Sequence, residues 1–278
     1  MNTLHMNRVV LVSTHLCTLK CKLCIQEAPL YKKPYNPSFA ELVNYIDAFF
    51  EIVGSVDIFE ISGGEPLLRK DIFNVIRHIS KYENQILKEI RITTNSTLIP
   101  DSRLVESAKL FGDKMFFLVD DYGVYSKKTK EVEATLVAAD INYRVRDYHD
   151  QLHGGGWVDF GDFSTEGSPE EGLEKYRECI FSAELGLSFE ITEGEMHPCV
   201  ISRRCMEKGI VKKNTDEFVK LIDGSETIEK KREKIRSIYA LSSLSACRYC
   251  NGFLRTSKRF KPAEQLAGKK LRTKNARK

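Results

Sequence analysis

No stretch of this chain approaches the roughly 18 to 20 consecutive apolar residues needed to cross a bilayer. No early segment joins a charged start, an apolar run and a small-residue cleavage site. Membrane spanning and secretion are therefore not expected, and a cytoplasmic protein is. There is no internal repeat and no long low-complexity segment, which excludes a repeat array. Tryptophan occurs once, at Trp157. Disulfides are not expected either, because cytoplasmic thiol pools are reducing.

Cysteine, by contrast, is plentiful: eight in 278 residues, and they cluster. In a reducing compartment such clusters read as metal ligands or catalytic groups. The rest of the composition, 42% apolar and 29% charged, is that of an ordinary globular protein long enough for an α/β barrel with an appended subdomain. The net charge of +4 is unevenly spread, since residues 255–278 carry ten Lys or Arg against Glu264 alone. The body is thus mildly acidic. The basic end lacks interleaved aromatics, so it reads as a solvated, flexible tail, not a nucleic-acid surface.

Apolar, β-branched runs stand at 8–13, 56–62, 88–94, 114–120 and 141–147, and amphipathic stretches separate them. In residues 38–54, for example, Leu42, Ile46, Phe49, Phe50 and Val53 fall on one helical face. Alternating strands and helices predict βαβ units and a parallel sheet, in which ligands collect at the carboxyl ends of strands. The chemistry-bearing residues sit there. Cys17, Cys21 and Cys24 follow the first strand, Gly63-Gly64-Glu65-Pro66 the second, Asn95 the third, and Asp120-Asp121 the fourth.

C-x3-C-x2-C after the first strand, with S-G-G-E-P at the end of the second, resembles the radical S-adenosylmethionine (radical SAM) superfamily over residues 7–150. One departure is Leu23, where the family often has an aromatic before the third cysteine. The resemblance implies a partial (β/α)6 TIM-type barrel over residues 1–150, with Cys17, Cys21 and Cys24 holding a [4Fe-4S] cluster. Three ligands leave one iron open for SAM, whereas a closed structural site uses four. It also implies that Gly63, Gly64, Glu65 and Pro66 hold the methionyl amine, while Asn95, Asp120 and Arg144 meet the ribose and carboxylate. Chemistry of this kind requires a flavodoxin- or ferredoxin-type electron donor.

In the second half, Cys179 and Cys199 stand as C-x14-G-x4-C, with Gly194 in the turn of an expected hairpin, and C-R-Y-C adds Cys247 and Cys250. This resembles the twitch region, the shortened relative of the SPASM domain, in which four such cysteines hold an auxiliary [4Fe-4S] cluster. The implied organisation is a linker at 151–174 and a small cysteine-rich twitch subdomain, hairpin plus helix, at 175–254. A four-thiolate zinc site satisfies the same spacing. Cys205 is surplus, either a small buried hydrophobe or a hydrogen donor or substitute ligand.

The substrate is read less directly. Residues 120–163 resemble proteins of polysaccharide-type gene sets, and Tyr122, Tyr143, Tyr148, His149, His153 and Trp157 offer stacking surface. A barrel with one twitch cluster also resembles the aminocyclitol dehydrogenases. That implies hydrogen abstraction from a small sugar-like or aminocyclitol substrate, giving oxidation or epimerisation. A general base is needed, and Asp121, Asp147, His149 and His153 are candidates. The alternative is a peptide maturase. These usually carry a leader-binding domain or a longer second half, neither of which is visible in the sequence. A noncatalytic zinc protein binding RNA is a third reading; it calls for basic residues spread over the body, which is acidic instead.

Overall fold

The computed structural model describes residues 4–149 and 157–266. Five parallel strands, β1 (His5–Thr14), β2 (Ser55–Gly63), β3 (Ile86–Thr94), β4 (Met115–Asp121) and β5 (Asn142–Asp147), lie side by side in chain order. Helices α1 (Phe39–Ile52), α2 (Ile72–Ile79), α3 (Ser102–Ala108) and α4 (Thr129–Ala138) connect them. Helix α1 starts where Ser38 and Glu41 cap each other reciprocally. Its apolar face, Leu42, Ile46, Phe49 and Phe50, is buried as its spacing predicts.

Alternation along the strands divides two environments. Val9 and Leu11, Phe59 and Ile61, Ile90 and Ile92, and Phe117 and Val119 join the core shared with the helices. The intervening positions, among them Glu60, Ser62, Thr93 and Asp120, line a polar lumen on the other face. This division makes the sheet the wall of a site and not merely a packing layer.

The second half begins with α5 (Pro169–Glu178) and α6 (Ile180–Ala183), then the hairpin β6 (Phe189–Thr192) and β7 (Glu195–His197). Glu193 and Gly194 both take left-handed φ, 51° and 73°, as a tight two-residue hairpin turn needs. Helix α7 (Val200–Glu207), the short strand β8 (Val219–Lys220) and α8 (Ile228–Tyr239) follow.

The hairpin, read from sequence as part of a separate subdomain, joins the barrel sheet. Strand β6 pairs parallel to β1 over Val9–Leu11, giving the order β5-β4-β3-β2-β1-β6-β7-β8. Six strands are thus parallel, but the sixth stands beside β1 rather than β5, and the sheet stays open. A second small core gathers Phe163, Val200, Ile201, Cys205, Met206, Val211, Phe218, Ala246 and Cys250.

The expectation of a flexible tail from residue 255 needs correction over 255–266. Phe260 pairs with Trp157, and Gln265 pairs with Cys21, so this segment is held against the body. Backbone pairing, which charge composition does not reveal, outweighs solvation there. Residues beyond 266 lie outside the described residues, as does His153.

Candidate active site

Strand β1 delivers the chain into a loop bearing Cys17, Cys21 and Cys24, all free thiols. Burial pushes Cys17 up to about 11 and Cys21 up to about 12, and it raises Cys24 as well. Such thiols ionise only beside compensating positive charge, which bound iron supplies. Each sulfur also has donors aimed at it. The Leu19 amide and Asn95 Nδ2 lie 3.5 Å from Cys17 Sγ, and Gln265 Nε2 lies 3.5 Å from Cys21 Sγ. Cys24 receives backbone N–H groups from residues 26–28. The donor set therefore fits an iron–sulfur centre.

The Gly63-Gly64 turn lies directly against this loop. A Cβ at Gly63, where φ is +130°, falls 2.2 Å from the Thr14 carbonyl oxygen, and one at Gly64 falls 2.1 Å from that of Leu16. Only glycine fits both places. The Gly64 and Glu65 amides donate to Thr14 O and Leu16 O, locking the two strand ends together. Glu65 itself turns inward. Its carboxylate accepts from the amides of Leu67 and Asn95 and from Thr94 Oγ1, and burial pushes it up to about 7.

A cavity of about 300 Å³ brings together Cys17, Cys21, Cys24, Gly63, Gly64, Asn95 and Asp120. Glu65 and Pro66 are buried behind its wall. Asn95 is turned toward Cys17 and Thr18. Arg146, which sequence reasoning passed over for Arg144, also lines the cavity and grips Asp120 at 2.5 and 2.8 Å. Arg144 is exposed two residues earlier on the same strand and does not line it. Proximity to the strand's carboxyl end was the available signal. Tyr122 donates to Asp120 at 2.9 Å and meets Trp157 edge-on.

Of the suggested general bases, Asp121 and His149 are paired at 2.8 Å beside Asp147, and none of the three lines the cavity. The carboxylates that do are Glu60 and Asp120. Burial acts to raise Glu60, but Arg8, Thr93 and Arg91 outweigh it and hold the carboxyl below its usual range. Tyr143 packs against the helical core and not at the cavity.

Residues 11–122 match the model of the Radical SAM superfamily. This part of the chain is a radical SAM domain. The match encloses the cysteine loop, the Gly-Gly turn, Asn95 and Asp120. Among curated proteins, GTP 3′,8-cyclase of Campylobacter jejuni is 36% identical over 90 residues, and that of Mycobacterium bovis 29% over 136. These alignments cover 32% and 44% of this chain, but only 27% and 35% of the relatives' length. Among solved structures, BtrN in complex with AdoMet and 2-DOIA superposes with a TM-score of 0.55 at 15% identity, covering 96% of this chain and all of that one. The anSMEcpe structure with bound AdoMet and Cp18Cys peptide gives 0.53 at 12%, covering 86% and 83%. These likenesses extend the fold beyond the radical SAM domain into the second half.

Beyond the radical SAM domain, Cys179 ends α5, Cys199 precedes α7, and Cys247 and Cys250 lie near the 3₁₀ turn Ser245–Arg248. They gather: Cys199 is raised far above the ordinary thiol range by burial and then by neighbouring Cys250, Cys247 and Cys179. Cys250 is pushed up to about 12 by burial, with Cys247 and Cys179 adding to the effect. Cys205 is fully buried in the small core beside them. Among the described residues, no three His, Cys, Asp or Glu side chains converge as a single metal ion requires.

A buried polar network ties this region to the radical SAM domain. Arg203 of α7 pairs with Glu190 of β6 and donates to Gln26 at 3.0 Å, while Gln26 donates to Glu190 at 2.8 Å. Arg204 grips Glu27 at 2.6 and 3.0 Å, just past Cys24. A second cavity, of about 180 Å³, touches Cys199, Glu190 and Ser188. It shares Gln26, Glu60, Ser62 and Gly63 with the first.

Proposed function

We propose that the chain is a radical SAM enzyme acting on a small polar substrate, a sugar or aminocyclitol derivative, which it oxidises at an alcohol carbon or epimerises. The observation that carries this reading is one cavity in which Cys17, Cys21 and Cys24 meet Gly63, Gly64, Asn95, Asp120 and Arg146. Cys17, Cys21 and Cys24 would hold the cluster, and Gly63 and Gly64 would let backbone approach the SAM amine. When bound there, a [4Fe-4S] cluster with an open iron supplies the electron that cleaves SAM to methionine and a 5′-deoxyadenosyl radical.

The chain's own residues account for the rest. Glu60, Ser62, Thr93 and Asp120 offer hydrogen-bonding groups to hydroxyls or amines. Trp157, Phe160, Phe181 and Phe253 supply apolar walls that exclude water from the same cavity. Glu60 or Asp120, which line the cavity, would take the hydroxyl proton, since Asp121, Asp147 and His149 do not line it. Cys179, Cys199, Cys247 and Cys250 would hold the auxiliary cluster, which could take the electron released on oxidation, and the cavity that touches Cys199 shares Gln26, Glu60, Ser62 and Gly63 with the first.

A flavodoxin- or ferredoxin-type protein is the proposed electron donor. No helix among the described residues is long and apolar enough to cross a membrane, in keeping with a proposed cytoplasmic setting.

The test is anaerobic incubation of the reconstituted protein with SAM, a low-potential reductant and panels of aminocyclitols, sugar nucleotides, peptides and GTP. Substrate-dependent 5′-deoxyadenosine, with an oxidised or epimerised product from the first two panels, is expected. Turnover of peptides or GTP alone would overturn the substrate class.

A further inference from the structure

The C-terminal segment reaches back across nearly the whole chain to the cysteine loop. The Lys22 amide donates to Glu264 O at 2.7 Å and the Leu266 amide to Lys20 O at 2.8 Å, so Cys21 and Gln265 face each other as an antiparallel pair. Pro262 and Ala263, both buried, set the approach of this strap. The Gln265 amide group is oriented without ambiguity. Its Oε1 accepts the Lys20 N–H at 2.7 Å, leaving Nε2 to donate to Ala263 O at 2.7 Å and to face Cys21 Sγ at 3.5 Å.

The other two sulfurs take donors from the radical SAM domain itself, Cys17 from Leu19 and Asn95, and Cys24 from residues 26–28. The side-chain donor to Cys21 comes instead from Gln265, 244 residues away. A hydrogen bond to a ligating sulfur withdraws charge from it, which favours the reduced state of an iron–sulfur centre and raises its potential.

We propose that Gln265 is a positioning residue for the cluster loop: the strap seats its amide on Cys21 Sγ and thereby raises the reduction potential of the cluster held by Cys17, Cys21 and Cys24. The inference rests on the reading of that loop given above.

The test is a redox titration, followed by electron paramagnetic resonance, of the signal that responds to added SAM. It compares the wild-type protein with Gln265→Met and Gln265→Glu. The Met variant keeps the side-chain length and loses the donor. The Glu variant keeps the acceptor for Lys20 N and turns a carboxylate on the sulfur. Each is expected to hold its iron and to titrate at a more negative midpoint than wild type, with the Gln265→Glu variant lowest of the three proteins.

A midpoint equal to wild type in either loaded variant overturns the proposal. Failure of both variants to hold iron in this site also overturns it, by assigning Gln265 to the loop's shape alone. A wild-type protein without a SAM-responsive signal instead sinks the underlying reading, which keeps the two failures distinct.

Discussion

At the scale of single residues, the sharpest constraint falls on a position with no side chain. The Gly64 Cβ direction is filled by the Leu16 carbonyl at 2.1 Å, and a backbone group that also accepts the Glu65 amide cannot move aside cheaply. Gly64→Ala is expected to cost about 3 kcal/mol, the upper range for an intruding methyl group. Gly224→Ala, with nothing within 4 Å, should change stability by less than about 0.5 kcal/mol. Chemical denaturation of the two apo variants checks this, and equal losses would show that the close approach is not what glycine serves. The motif glycines were legible in sequence as conformationally special, but the neighbour that requires them was not. The protein contacts of Asn95 and Glu65 were not legible in the sequence, because strand-end position does not say which way a side chain turns. Asn95 serves Cys17 Sγ, and Glu65 braces the end of β3.

At the scale of elements, the two cysteine sets are joined through Arg203. It neutralises Glu190 and reaches Gln26, so helix α7, strand β6 and the cysteine loop share one buried network. Removing one partner of a buried pair leaves an uncompensated charge, which typically costs about 3–5 kcal/mol. Arg203→Met is therefore expected to lower the melting temperature by roughly 10 °C. The double variant Glu190→Gln, Arg203→Met should recover much of that loss. If both variants melt alike, the lost charge balance is not the cause. Sequence periodicity located the five strands of the radical SAM domain to within a few residues, because β-branched runs and helical faces are local signals. It could not show that β6 lies beside β1, since Val9–Leu11 and Phe189–Ile191 pair across a long intervening chain. The strap at 264–266 was missed for the same reason, and its basic composition pointed the other way.

At the scale of the whole molecule, burial of ionisable groups shapes stability against pH. Glu65 is pushed up to about 7 from an ordinary value of 4.5, by burial against the opposing amides of Asn95 and Leu67 and the Thr94 hydroxyl. The folded state holds this proton more tightly than the unfolded chain. Its contribution is thus complete below about 4.5 and is lost as pH rises through about 7. Gln does not titrate, so Glu65→Gln should gain stability relative to wild type between pH 5 and pH 8, by roughly 3 kcal/mol at most. A pH-independent difference between the two apoproteins would place this carboxyl's titration in the ordinary range.

The central proposal is that two separate thiol sets hold two iron–sulfur clusters, the first of them open to SAM. Anaerobic reconstitution with iron and sulfide counts, followed by a SAM cleavage assay, tests it directly. About eight irons per wild-type chain with release of 5′-deoxyadenosine are expected, and about four irons with no release when Cys17, Cys21 and Cys24 are all replaced by alanine. A wild-type chain that binds zinc, takes up no iron and leaves SAM intact would contradict it.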